Sequence, residues 1–100
     1  MPDYENGISS TSNQSSGTQI QVNSFSFVYL RGRDPYMEDY LVQVSPDKTN
    51  WYVVGSRQDD VNGNTQGTSF LFPIPSKWYF RCTAENGFIY TVYPLKGENA

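Results

Sequence analysis

The chain contains no histidine and a single cysteine, Cys82. Without histidine it lacks the commonest general base, the commonest metal ligand and the usual activator of a nucleophilic serine or cysteine. One cysteine excludes an intrachain disulfide. Set in an aromatic run, Cys82 reads as a small core residue. There is no Gly-x-Ser-x-Gly and no glycine-rich phosphate loop. No apolar run approaches the ~18 residues of a membrane helix. The acidic opening Met-Pro-Asp-Tyr-Glu-Asn-Gly7 does not read as a signal peptide. Basic runs are also missing. Lys and Arg number 7 against 10 Asp and Glu, a net charge of −3, and the charges are scattered, which argues against nucleic acid as a partner. No segment of about eleven residues or more carries a 3.6-residue period, so no helix is predicted.

Little catalytic chemistry survives these absences. Carboxylates pair in sequence at Glu38-Asp39 and Asp59-Asp60. Glycoside cleavage needs two carboxylates facing each other across the bond, roughly 5–10 Å apart. Neighbours on one loop point apart, which leaves only a pairing across loops, such as Asp39 with Asp60. Asp60-Val-Asn62-Gly-Asn64-Thr-Gln66 places oxygen side chains at alternate positions, as a calcium loop begins. Its glycine stands at the fourth place rather than the sixth, and Leu71 occupies the place of the bidentate glutamate, so a hairpin loop is the better reading. The expectation is a protein that is not an enzyme and has neither cofactor nor metal.

What the chain does have is β pattern. Phe70-Leu-Phe-Pro-Ile-Pro75, Lys77-Trp-Tyr-Phe-Arg-Cys82 and Gly87-Phe-Ile-Tyr-Thr-Val-Tyr-Pro94 are apolar, aromatic runs punctuated by Pro and Gly, and read as three consecutive strands. Several positions are apolar on both faces, so both faces should be covered, the second by another copy of the chain. Upstream, 40–45 and 51–56 form a hairpin around Pro46-Asp-Lys-Thr-Asn50. Residues 18–31 form one bent strand or two, because the apolar parity slips at Asn23-Ser24, where a bulge or tight turn is expected. The domain therefore spans 18–97. Residues 1–17, with Ser9-Ser-Thr-Ser-Asn-Gln-Ser-Ser-Gly17, form a polar extended arm that cannot order itself by burial.

Alternating strand direction collects loops 32–39, 57–66 and 84–87 at one end, the tip. Loops 46–50 and 74–77 lie at the other end, the base. The N-terminus lies at the base if 18–31 is one strand, and at the tip if Asn23-Ser24 reverses the chain. Tyr36, beside Pro35, is the candidate exposed aromatic of the tip, with Arg33, Arg57 and Asp59 as candidate receptor-binding neighbours. Trp51, Tyr52, Trp78 and Tyr79 are aromatics of the kind that stack on sugar rings, but Trp51 and Trp78 are expected in the core, since alternate strand aromatics usually are.

Two resemblances attach to these motifs. Val42-Gln-Val-Ser-Pro-Asp-Lys-Thr-Asn-Trp51 followed by Tyr-Val-Val-Gly55 resembles a hairpin of discoidin-like and other β-sandwich binding modules, with Lys48 where glycine is usual. The whole plan resembles small phage virion proteins of the tail-fibre or head-fibre type that end in a jelly-roll or C1q/TNF-like knob. The matching segments are the opening Met-Pro-Asp-Tyr-x-Asn-Gly-Ile, then Phe-Val-Tyr-Leu30, then Phe72-Pro-Ile-Pro-Ser-Lys-Trp-Tyr-Phe-Arg-Cys82, and the closing Val92-Tyr-Pro-Leu-Lys-Gly97. In that group a Pro-x-x-Lys-Gly turn often precedes the penultimate strand. Here Pro75-Ser-Lys77-Trp keeps Pro and Lys and loses the Gly. The resemblance spans residues 1–97 on short motifs and carries over no binding residues, because knob loops vary. It implies an all-β, antiparallel, jelly-roll-like sandwich in a virion. It also implies a homotrimer with the arm docked on other virion proteins; if the opposite strand parity packs the core, Tyr79, Ile89 and Tyr93 are the candidates for one shared apolar sheet face. Attachment to a host-surface glycan or protein through the tip is the implied role. A head decoration or cement protein and a monomeric carbohydrate-binding module are the alternatives.

Overall fold

Eight antiparallel strands wind the chain into two sheets in the computed structural model, which describes residues 8–9, 14–33, 39–57 and 69–95. They are β1 (Ile8–Ser9), β2 (Ile20–Gln21), β3 (Ser26–Gly32), β4 (Tyr40–Ser45), β5 (Tyr52–Arg57), β6 (Ser69–Ile74), β7 (Tyr79–Cys82) and β8 (Phe88–Pro94). One sheet has the order β1-β8-β3-β6 and the other β2-β7-β4-β5. The first strand therefore pairs with the last, the second with the seventh, the third with the sixth and the fourth with the fifth. That nesting is a long hairpin rolled once on itself, the jelly-roll winding. The expected antiparallel, jelly-roll-like sandwich is what forms.

Strand parity decides the core. Val28 and Leu30 of β3, Tyr40, Val42 and Val44 of β4, Phe72 and Ile74 of β6, Phe80 and Cys82 of β7 and Phe88 of β8 are buried. Each alternates with a more exposed neighbour, as pleated strands require. Phe80 of β7 meets the edges of Phe72 from β6 and Tyr90 from β8, at centroid distances of 6.1 and 5.2 Å, so it bridges the two sheets. Cys82 is buried, the core role expected of it. Gly55 is small for a packing reason. A Cβ there would stand 2.6 Å from the Phe70 ring, which crosses from the facing sheet and meets the Tyr40 ring edge-on.

The parity slip at Asn23-Ser24 is a true reversal. Gly17 N–H donates to Cys82 at the tip, and Val22 N–H donates to Trp78 at the base, so this stretch runs down β7. After a bend at 23–25 the chain re-enters as β3 in the other sheet, running up. The buried Ser26 hydroxyl donates to the Ser24 carbonyl and Ser76 Oγ donates to that of Asn23, which holds the crossing. Part of the polar arm joins the sandwich. Ile8 and Ser9 pair with Val92 and Thr91, and Gln14 exchanges backbone hydrogen bonds with Phe88. Residues 1–7 and 10–13 of the arm lie outside the described residues.

The opposite-parity residues Tyr79, Ile89 and Tyr93 do point away from the core, but they do not share a face. Ile89 and Tyr93 lie outside the β1-β8-β3-β6 sheet, and Tyr79 lies outside the other. The jelly roll deals β7 and β8 into different sheets, so one three-residue interface is geometrically divided.

Candidate functional site

Ends of β3, β5 and β8 meet at the tip. Gly32 stands opposite Phe88, Arg33 N–H donates to the Gly87 carbonyl, and Gly32 N–H donates to the Tyr40 hydroxyl across the sandwich. Arg57 closes β5 opposite Tyr40. Arg33 is exposed, whereas Arg57 is only 5% exposed. It lines the floor of a cleft of about 320 Å³ together with Asp39, Tyr40, Leu41, Ser56 and Thr83, rather than projecting from the tip. Register explains this: Tyr40 faces the core, and its partner Arg57 must share that face. The two arginines are thus at one end of the molecule but on different sheets. Tyr36, Asp59, Asp60 and the 60–66 loop lie outside the described residues.

A second constellation, of which the sequence pointed only to the aromatics Trp51 and Tyr79, occupies the outer face of the β2-β7-β4-β5 sheet toward the base. Tyr79 and Arg81 alternate with buried Phe80 and Cys82, so both point outward. Gln21 is the register partner of Tyr79, and Gln43 that of Arg81. The β4–β5 loop curls over this face. Its guanidinium-facing residue is Trp51, whose ring centroid lies 3.9 Å from Arg81 Cζ. Arg81 Nε donates to Gln43 Oε1 at 2.8 Å. Lys48 Nζ sits 4.9 Å from the Tyr79 ring centroid. Trp51 is therefore a half-buried residue of the outer face, not of the core as expected, because the loop turns its indole onto Arg81 and ties Nε1–H to the Lys48 carbonyl. Trp78 does pack against the core.

Asp47 builds that loop. Its Oδ1 accepts from the backbone N–H groups of Asn50 and Thr49 and from Ser45 Oγ, and its Oδ2 accepts from Asn50 Nδ2. These bonds, the Asn50 and Thr49 N–H groups foremost, lower its pKa to about 2. The consequence for stability has a definite sign. A carboxylate whose folded pKa lies below its unfolded value stabilises the fold above about pH 4 and loses that contribution as pH falls through the folded value. The melting temperature of Asp47→Asn should therefore lie below that of the parent by a constant margin above about pH 4, and the margin should close toward pH 2. A margin independent of pH would show that the charge of Asp47 is not what holds the loop.

Lys48 has φ 68° and Lys77 has φ 72°, the non-glycine residues with positive φ among those described. Each left-handed lysine costs roughly 1 kcal/mol relative to glycine. The two turns that carry them flank Tyr79, and Gln21 Nε2 donates to the Lys77 carbonyl. One signal of this site was legible: in Lys77 to Cys82 the cations and Tyr79 fall on one parity and the apolar residues on the other. The missing part was the contact of Trp51 with Arg81, since nothing local shows that the hairpin folds back.

These features define a jelly-roll domain with a recessed cleft at its tip and a cation-aromatic platform on one outer face. Comparison of the chain with protein-family models, with curated proteins and with solved structures finds no match.

Proposed function

We propose that this protein is the knob of a phage virion appendage, assembled as a homotrimer and attaching to the host surface by binding rather than catalysis. The observation that carries the reading is the uncovered outer face of the β1-β8-β3-β6 sheet. Leu71 is 66% exposed, Tyr29 41% and Tyr93 38%. Register sets Leu71 and Thr91 on either side of Tyr29, and Pro73 and Tyr93 on either side of Phe27. No carboxylate interrupts these rows, so copies of a net-negative chain can approach here without like-charge repulsion. Contiguous apolar area of this kind marks an interaction surface. Pro73 offers no N–H on edge strand β6, which disfavours strand addition and favours face packing. Cyclic closure then covers the face in every copy and points three tips the same way. Weak tip contacts through Arg33 and Tyr36 are multiplied by avidity.

The experiment is antibody labelling of particles that carry the protein, combined with competition for adsorption by the purified chain. Label at an appendage end is expected, with excess free protein blocking adsorption and the Arg33→Ala/Tyr36→Ala double variant failing to block. Label spread over the head shell would replace this reading with that of a decoration protein. Absence of the protein from particles would end it.

A further inference from the structure

We propose that the platform outside the β2-β7-β4-β5 sheet binds a carboxylate-bearing saccharide, with Arg81 and Lys48 holding the carboxylate and Tyr79 the sugar ring. The site stands apart from the tip and does not depend on the protein's being part of a virion.

Arg81 is fixed by two contacts that leave its ligand-binding side open. Its Nε is used by Gln43 and a face of its plane by Trp51. The terminal Nη1 and Nη2 remain, a planar fork whose geometry matches both oxygens of a carboxylate. Among the described residues no carboxylate is within ion-pair range of Arg81, Lys48 or Lys77. In a chain with 7 basic and 10 acidic residues, Arg81 and Lys48 are two unpaired cations on one face, the neighbouring Asp47 carboxylate being tied into its own loop by hydrogen bonds from Ser45, Thr49 and Asn50. Lys48 adds a second observation. Its left-handed backbone would be relieved by glycine, yet the residue present carries an ammonium over Tyr79. Strain of this kind clusters at functional positions, and here it accompanies a charged contact.

The surroundings select a sugar over other anions. Lys48 caps the Tyr79 ring in the free protein, and as its ammonium swings to the carboxylate a pyranose takes its place, resting its C–H side on that ring. The amides of Gln21 and Gln43 flank Tyr79 and Arg81 in register and suit hydroxyl groups. Two cations on a net-negative domain neutralise too few phosphates to hold a nucleic acid.

The intact chain should be titrated with a galacturonate trimer at low salt, by calorimetry and tryptophan fluorescence. Neutral galactose trimer, inorganic phosphate and a short single-stranded DNA serve as comparison ligands. The acidic trimer is expected to bind at least about tenfold more tightly than any comparison ligand. Arg81→Lys keeps the charge and removes the fork, and should weaken binding by about tenfold. Lys48→Gly should weaken it several-fold while melting no lower than the parent, since glycine accepts the positive φ. Arg31→Ala, on the other sheet, should leave binding unchanged. Three results overturn the proposal: no binding of the acidic trimer at millimolar concentration, equal binding of the neutral trimer, or equal binding of phosphate or DNA.

Discussion

Phe80→Ala is expected to lower stability by roughly 3–5 kcal/mol, the usual cost of deleting a fully buried phenyl ring. Phe80 is 0% exposed and carries edge-to-face contacts to both Phe72 and Tyr90. Its removal loses transfer free energy, leaves a cavity where three strands from two sheets converge, and breaks both ring contacts. A domain of this size has only about 5–15 kcal/mol in total. The melting temperature should fall by on the order of 20 °C, and the denaturation midpoint with it. Phe80→Leu fills part of the space and should cost less than half as much. A melt of the alanine variant within a few degrees of the parent would show that the sheets are not held together through this ring.

Leu71→Arg should do the opposite, leaving the folded monomer nearly as stable while abolishing self-association. Leu71 stands on an edge strand, pointing away from the core, so substitution there should change monomer stability by no more than about 0.5 kcal/mol. In the proposed trimer the same side chain is buried against a neighbour. A guanidinium placed there must be desolvated without a carboxylate on the matching face, a cost of several kcal/mol per copy. Sedimentation at micromolar concentration is expected to show a trimer for the parent and a monomer for Leu71→Arg, with unchanged far-UV spectra. A parent chain that sediments as a monomer, or a variant that remains trimeric, refutes the shared face. The pair of substitutions separates two uses of apolar surface, because Phe80 stabilises the monomer and Leu71 is predicted to stabilise only the assembly.

The later strands were legible because local chemistry announces them. Tyr40 to Ser45 is bounded by Asp39 and Pro46, and its alternation survives as β4 through Val44. The three aromatic runs appear as β6, β7 and β8, each ended by Pro or a Gly-containing turn. The first strand was not legible for a matching reason: Ile8–Ser9 is a two-residue strand in polar sequence that exists because β8 offers it a backbone partner, whereas Ile20–Gln21 falls within the strand expected over 18–31 and only its separation from β3 was open. The platform was half legible. Alternation placed Lys77, Tyr79 and Arg81 on one face, but the contact of Trp51 with Arg81 depends on a loop held by Asp47.

Residue order alone determined that this chain is all-β, that histidine-based chemistry is absent, and where the strands and turns from Tyr40 to Ser45 and from Phe70 to Pro94 fall. These follow from side-chain shape, backbone preference and period, which act over a few residues. Only the tertiary structure decided which parity faces the core, since runs apolar on both sides leave the two choices equal until the sheets pack. It also decided that β7 and β8 lie in opposite sheets, that Arg57 turns inward beside Tyr40, and that Arg81 stacks on Trp51. Each of these depends on pairing between residues distant in sequence, whose free energy appears only when both partners are in place.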